Sequence, residues 1–143
     1  MTSTVRETHG AVRPVYPDLR GRCGAVTGAG RGIGLAIALA MARSGMHVQL
    51  VDVDDVALLD AKELIADRCP DVVVDVACVS VSDVDGVGDV FGRFVSTTGS
   101  LDVLVNNAGI AANAPSLELG IEQWRRAVDV NLTGTFVCAQ AAG

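Results

Sequence analysis

The sequence is poor in aromatic and basic residues. Of its 143 residues, three are Phe, one is Trp and one is Tyr, and Lys62 is the single lysine. The formal net charge is -6 and the isoelectric point is near 4.7. A nucleic-acid-binding surface is normally basic, and the one adjacent basic pair, Arg125-Arg126, is more typical of a solvated helix face. The composition therefore argues against a nucleic-acid partner.

Long apolar runs are also missing. The longest one, at residues 35–42, is far shorter than the roughly 18 residues of a membrane-crossing helix. The first 22 residues are charged and polar, which is unlike a secretory leader with its apolar centre. We therefore expect no membrane partner.

The four cysteines are too far apart to form a metal-binding pattern, and His9 and His47 stand alone. Without a Cys-x-x-Cys pair, the sequence predicts no metal site. Small buried apolar side chains in a reducing compartment explain such cysteines best, which predicts a cytoplasmic protein. The four are Cys23, Cys69, Cys78 and Cys138.

Strands and helices are predicted to alternate four times after a flexible tail at residues 1–20. The predicted strands are 23–27, 47–52, 72–79 and 101–105. The predicted helices are 33–43, 54–69, one that starts at Ser82 or Asp83, and 121–142. Continuous valine runs indicate strands that are covered on both faces, so residues 21–143 should form one α/β domain with a parallel sheet.

A glycine-rich turn lies between the first strand and the first helix, with the pattern Thr27-Gly28-x-x-x-Gly32-x-Gly34. Gly28 allows a tight reversal, Gly32 removes a Cβ where a pyrophosphate would approach backbone N–H groups, and Gly34 lets the helix lie close to the strand. The helix N-terminus then favours an anion. A plain strand–helix connection is the simpler alternative, but the strand–turn–helix context favours nucleotide binding.

Asp52 ends the second strand, where a carboxylate can accept hydrogen bonds from ribose hydroxyls and repel a 2′-phosphate. This favours NAD over NADP, although Arg31 in the glycine turn is a cation that could tolerate the phosphate. Asp52 could instead be a helix-start acid, a role that Asp54 or Asp55 could also fill. The glycines with a strand-ending acid also suit an S-adenosylmethionine methyltransferase.

The fourth strand leads directly into Asn106-Asn107-Ala108-Gly109. Together with the glycine turn, this segment resembles the short-chain dehydrogenase/reductase family, classical type, over about residues 20–143, and argues against the methyltransferase. The resemblance implies a Rossmann-type doubly wound sheet, here incomplete with four strands in order 3-2-1-4. It also implies an oxidoreductase that moves hydride between nicotinamide and a small alcohol or carbonyl compound. The implied cofactor-binding residues are Thr27, Gly28, Gly30, Arg31, Gly32, Ile33, Gly34, Asp52, Ser80, Val81, Asn106, Asn107, Ala108 and Gly109.

Two further matches are residue by residue. Asn131, in Val128-Asp129-Val130-Asn131, aligns with the family's catalytic asparagine, which holds a water in a proton relay; a locally bonded or solvated Asn is the simpler alternative. Ser80-Val81 best aligns with the Asp-Val pair whose Asp meets adenine in the family. Asp75-Val76 has the right letters but lies too early, and Ser80 is a weaker substitute.

The family's Ser, Tyr and Lys for proton transfer have no match in this sequence. Tyr16 and Lys62 are its only tyrosine and lysine, and they form no Tyr-x-x-x-Lys pattern. We expect the chain to be inactive alone; it could also be a nucleotide-binding or interaction module that has lost catalysis, or a truncated reading frame. The fourth strand should form a sheet edge. The last helix should expose Trp124, Val128, Phe136 and Val137, where the family forms oligomers.

Overall fold

The structure, a computed structural model, describes residues 16–143. Most of the predicted tail, residues 1–15, lies outside the described residues. Pro17–Leu19 form a turn of 3-10 helix, and the Leu19 side chain packs against the core. The part of the chain that joins the fold therefore starts a few residues before the expected boundary.

Four parallel strands form one sheet in the order β3-β2-β1-β4, as the sequence predicted. The strands are β1 (Cys23–Thr27), β2 (His47–Asp52), β3 (Val74–Cys78) and β4 (Val103–Val105). The helices are α1 (Gly32–Arg43), α2 (Asp55–Arg68), α3 (Val84–Thr98), α4 (Ile121–Val128) and α5 (Gly134–Ala142), with a π-helical turn, Asp129–Thr133, between α4 and α5. The order places β4 at one edge, also as expected.

Each face of the sheet is covered by helices, which is the doubly wound Rossmann arrangement. On one face, Val26, Val48 and Leu50 pack with apolar residues of α1 and α2. On the other, Ala25, Val51 and Ala77 pack with residues of α3 and α5. Strand side chains alternate between the faces, so largely apolar strands are needed to fill both cores.

Capping side chains fix where two helices begin. Asp54 precedes α2 and accepts a hydrogen bond from Ala57 N at 3.0 Å. Asp83, rather than Ser82, precedes α3 and accepts from Gly86 N at 3.0 Å. Gly99, in the left-handed region at φ 92°, ends α3.

β3 and β4 are each shorter than predicted because side chains replace part of the strand pairing. The His47 Nδ1 atom accepts from Val73 N at 3.0 Å, and β3 begins at Val74, two residues later than predicted. The Asp102 carboxylate accepts from Cys23 N at 2.8 Å and from Arg22 Nη1 at 3.0 Å. β4 accordingly begins at Val103.

The predicted final helix is interrupted by the π-helical turn, and its apolar face is only partly exposed. Trp124 and Phe136 are more than half exposed, as expected, and Val128 is partly buried. Val137 is buried in the core beside Val81, so the expectation of its exposure was wrong. Gly134 faces Val81 directly, and this close approach turns the Val137 side of α5 inward.

The four cysteines are free thiols. Burial raises the pKa of the Cys138 thiol and of the Cys69 thiol, so both stay protonated and act as small apolar groups. No helix in residues 16–143 is both long and apolar enough to cross a membrane.

Asp102 should make the stability depend on pH. Its hydrogen bond from Cys23 N, and further bonds from Ser100 and Arg22, lower the pKa of its carboxyl. A lowered pKa stabilises the fold above the unfolded value, about 3.9, and this contribution is lost as pH falls through the lower folded value. In urea unfolding, Asp102→Asn should lower the midpoint at pH 7, and its difference from wild type should shrink below about pH 4.

Asp71→Asn is the matched control, since Asp71 is an exposed carboxylate in the turn before β3. A difference between Asp102→Asn and wild type that stays constant from neutral to acidic pH would contradict the role given to the Asp102 charge.

Candidate functional site

A cleft with a volume of about 540 Å³ lies at the carboxyl ends of the strands. In an open parallel sheet, ligands bind beyond the carboxyl ends of the strands, at the point where the strand order reverses. In this sheet, that point lies between β1 and β4. Its walls include eight of the predicted cofactor-binding residues, namely Gly28, Arg31, Asp52, Ser80, Val81, Asn107, Ala108 and Gly109. Thr27, Gly30, Gly32, Ile33, Gly34, Asn106 and Asn131 are not on its walls and lie in the elements around it.

The glycine turn adopts a backbone that its glycines permit. Gly28 and Gly32 have φ values of 64° and 56°, in the left-handed region. A Cβ on Gly34 would overlap the Gly28 carbonyl oxygen, so only glycine lets α1 start this close to the turn. A Cβ on Gly32 would meet open space, so the approach to the start of α1 is clear.

Thr27 and Asn107 join the glycine turn to the end of β4. The Thr27 Oγ1 atom accepts from Asn107 N and from Ala108 N, both at 3.0 Å. In return, Asn107 Nδ2 donates to Thr27 O at 3.0 Å and to Gly28 O at 3.1 Å. These four bonds hold the Asn-Asn-Ala-Gly segment and the glycine turn as one unit.

The Asp52 carboxylate is fixed by backbone donors from two directions. Its Oδ2 accepts from Gly30 N at 2.9 Å, while its Oδ1 accepts from Val53 N at 2.8 Å and from Asp54 N at 3.3 Å. An ionised carboxylate offers about four acceptor positions, so one remains for a ligand. Asp52 thus lies against the glycine turn with a free acceptor position beside the cleft.

Arg31 lies on the same wall and is paired with Asp54. Its Nη2 atom is 2.7 Å from Asp54 Oδ2. The backbone of Arg31 is extended, and its carbonyl accepts the first intrahelical bond of α1, from Leu35 N at 3.2 Å. The N–H groups of Gly32, Ile33 and Gly34 therefore have no acceptor within α1. They point out of the N-terminal end of the helix.

Ser80 and Val81 form the cleft wall beyond β3. The Ser80 and Ser82 hydroxyls lie 2.9 Å apart, and Ser80 Oγ also accepts from Ser82 N at 3.3 Å. Val81 is buried and contributes an apolar surface. This part of the wall carries no charged side chain, and Asp75 lies inside β3, where it accepts from Gln49 Nε2.

Asn131 lies in the π-helical turn and bonds to a distant loop, so neither the local nor the solvated alternative describes it. Its Oδ1 accepts from Ile110 N at 2.8 Å, and its Nδ2 donates to Ile110 O at 2.9 Å. Asn106 Nδ2 donates to Thr135 O at 3.5 Å. Both asparagines thereby join the segment after β4 to the last helix.

The match between this chain and a protein family extends over almost all of the described residues. The family model described as short chain dehydrogenase matches residues 23–143. The chain belongs to the short-chain dehydrogenase family. The expected resemblance is thereby confirmed.

Individual relatives match this chain over a similar share of its length. It is 36% identical over 122 residues to an uncharacterized oxidoreductase of Thermotoga maritima, covering 85% of this chain and 47% of that one. It is 39% identical over 133 residues to D-threitol dehydrogenase of Mycolicibacterium smegmatis, covering 87% of this chain and 47% of that one. The chain spans about half the length of the curated relatives it matches.

A solved structure of NAD+-bound xylitol dehydrogenase superposes with a TM-score of 0.82 at 31% identity, covering 87% of this chain and 47% of that one. The L-sorbose reductase of Gluconobacter frateurii, solved with NADPH and L-sorbose, gives 0.80 at 31% identity and covers 86% and 46%. Structural neighbours of this chain therefore include proteins bound to either nicotinamide dinucleotide.

Sequence reasoning missed part of the cleft wall. Arg126, Asp129 and Val130 line it, and Ile110 does so beside Gly109. Arg125 and Arg126 are both exposed, as expected of a solvated helix face, but Arg126 also lines the cleft, whereas Arg125 pairs with Glu122 at 2.6 Å. The usable signal was spacing, because Asp129 and Val130 follow Arg126 by three and four residues, which places the three on one side of a helix.

Gly34→Ala should destabilise the chain by about 1–3 kcal/mol, because the new methyl group overlaps the Gly28 carbonyl and forces α1 from the turn. Chemical denaturation measures this. The matched control is Gly88→Ala in α3, where a Cβ meets open space, and we expect it to stabilise by about 0.5–1 kcal/mol. Equal effects of the same sign would contradict the close packing at Gly34.

Proposed function

We propose that the cleft binds NAD and that the chain is the cofactor-binding part of an NAD-dependent oxidoreductase. The observation that carries the proposal is the placement of Asp52. Its carboxylate is held 2.9 Å from Gly30 N, at the carboxyl end of β2, with an acceptor position left for ribose hydroxyls. A carboxylate at this place in a dinucleotide-binding fold accepts from the ribose next to adenine.

The start of α1 supports binding of the pyrophosphate. The N–H groups of its first residues have no intrahelical acceptors, and its first turn carries no acidic residue. The open space at Gly32 admits an anion close to the backbone. The positive end of the helix and the turn geometry therefore fit a dinucleotide pyrophosphate.

NAD is preferred over NADP in this proposal because of charge. A 2′-phosphate next to Asp52 would bring a negative group of nearly two charges against a carboxylate. Of the two arginines that line the cleft within residues 16–143, Arg31 is already paired with Asp54, and Arg126 lies on α4. The NADPH-bound neighbour shows that the fold itself accepts either dinucleotide, so the choice depends on these side chains.

When bound, the nicotinamide exchanges hydride at its C4 atom with an alcohol or carbonyl compound. The residues of this chain bind and orient the dinucleotide, with the fixed unit of Thr27 and Asn107 holding the shape of the cleft. Asn131 fixes the loop at Ile110, which is on the cleft wall. Its family role in a proton relay is part of the proposal.

Proton transfer in the reaction needs groups that the described residues, 16–143, do not place at the cleft. Tyr16 is exposed ahead of the 3-10 helix, and Lys62 is exposed on α2. Neither is on the cleft wall. We therefore propose that the 143 residues bind NAD without turning over an alcohol, and that turnover requires residues beyond them.

Asp52→Ala should weaken NAD+ binding about tenfold or more, because a hydrogen bond to a charged acceptor is worth about 1.5–3 kcal/mol. Titration calorimetry of the purified chain measures the dissociation constant. Asp60→Ala is the control, since Asp60 is an exposed carboxylate farther along α2.

Absence of binding heat for the wild-type chain would contradict the binding proposal. Oxidation of an alcohol by the same preparation, followed as NADH absorbance, would contradict the proposal that turnover needs residues outside the 143.

We also propose that the protein is cytoplasmic, in line with its free thiols. We further propose that it self-associates through residues 121–142, the segment that the sequence predicted as the last helix. Trp124 on α4 and Phe136 on α5 are 54% and 63% exposed, and burial of such side chains favours association. Sedimentation at increasing concentration should show association for the wild type and less for Phe136→Ser, with Thr97→Ser as control. A wild type that stays monomeric throughout would contradict self-association.

A further inference from the structure

Asp54 has two roles at the mouth of the cleft, one for each carboxylate oxygen. Its Oδ1 accepts from Ala57 N at 3.0 Å and so caps α2. Its Oδ2 lies 2.7 Å from Arg31 Nη2. The helix-capping role is structural. The partner in the ion pair, Arg31, lies on the cleft wall together with Asp52 and Val53.

Arg31 is positioned to meet a phosphate on the adenosine ribose. It follows Gly30, whose N–H donates to the Asp52 carboxylate, and it lines the cleft next to Asp52. A guanidinium binds phosphate through paired N–H donors. In this structure, however, the donors at Nη2 are directed to Asp54.

We propose that Asp54 is a specificity-determining residue that disfavours a dinucleotide with a 2′-phosphate. Its carboxylate pairs with the Arg31 guanidinium, which is then not available to a phosphate. It also adds a second negative charge to that of Asp52. This proposal rests on the proposed function, since it concerns the same cleft, and it assigns the discrimination to a residue outside the cleft wall.

The expected effect is moderate because the pair is exposed. The side chains of Arg31 and Asp54 are 73% and 36% exposed, and exposed pairs are weak and screened by salt. Release of Arg31 together with loss of one nearby charge should change relative affinity for NADP+ by about 3- to 10-fold. Asp52 remains in place, so NAD+ should still be preferred.

The test uses Asp54→Asn, because asparagine keeps the acceptor that caps α2 while removing the charge. The dissociation constants of NAD+ and NADP+ are measured by calorimetry at low salt for the wild type and the variant. The ratio of the NADP+ constant to the NAD+ constant should fall by about 3- to 10-fold, mainly through tighter NADP+ binding, and the change should diminish at high salt.

Two variants control the assignment. Asp55→Asn removes a neighbouring charge whose carboxylate accepts only from Val56 N among the described residues, and it should leave the ratio nearly unchanged. Arg31→Gln combined with Asp54→Asn should lose the gain in NADP+ affinity, because the released guanidinium is then absent.

The outcomes separate this inference from the proposed function. A wild type that binds NAD+ while Asp54→Asn leaves the ratio unchanged, or while the double variant keeps the whole gain, would overturn the role of the Asp54–Arg31 pair alone. A wild type and variants that bind neither dinucleotide would overturn the proposed function, and this inference with it.

Discussion

The hydroxyl of Thr27 is the contact on which the cleft depends. Thr27 is the last residue of β1, and its hydroxyl accepts from two successive N–H groups after β4. The Asn107 side chain donates two hydrogen bonds in return, to the carbonyls of Thr27 and Gly28. Buried polar groups that lose such partners are costly, so the two loops hold each other in one arrangement. The two loops on the cleft wall are thereby held to each other by four hydrogen bonds.

Small residues make that arrangement sterically possible. Gly34 brings α1 against the Gly28 carbonyl, and Gly30 leaves room beside Asp52, since a Cβ there would lie 3.1 Å from Asp52 Oδ2. Close packing places the start of α1, the strand-ending carboxylate and the segment after β4 around one cleft. The shape of the cleft therefore follows largely from backbone geometry with few side chains.

Much of the fold was predictable from the sequence because its signals are local. The valine-rich strands, the glycine turn and the strand order followed from periodicity and a resemblance, and β1 and β2 have the predicted bounds. Long-range contacts explain the differences. Asp102 replaces a backbone partner of Cys23, Gly134 lets α5 turn Val137 inward, and Asn131 reaches Ile110, which is 21 residues away. The sequence could not indicate that Arg126, and not Arg125, lines the cleft, because this depends on how α4 packs.

The central claim is that NAD binds across the carboxyl ends of the strands, between the glycine turn and the Asn-Asn-Ala-Gly segment. The most direct measurement is backbone amide NMR of the isotope-labelled chain during titration with NAD+. The account predicts shifts at Gly30, Gly32, Val53, Val81 and Gly109, with none at Asp67 or Thr97 at the opposite end of the sheet. No shifts at saturating NAD+, or shifts confined to that opposite end, would contradict it.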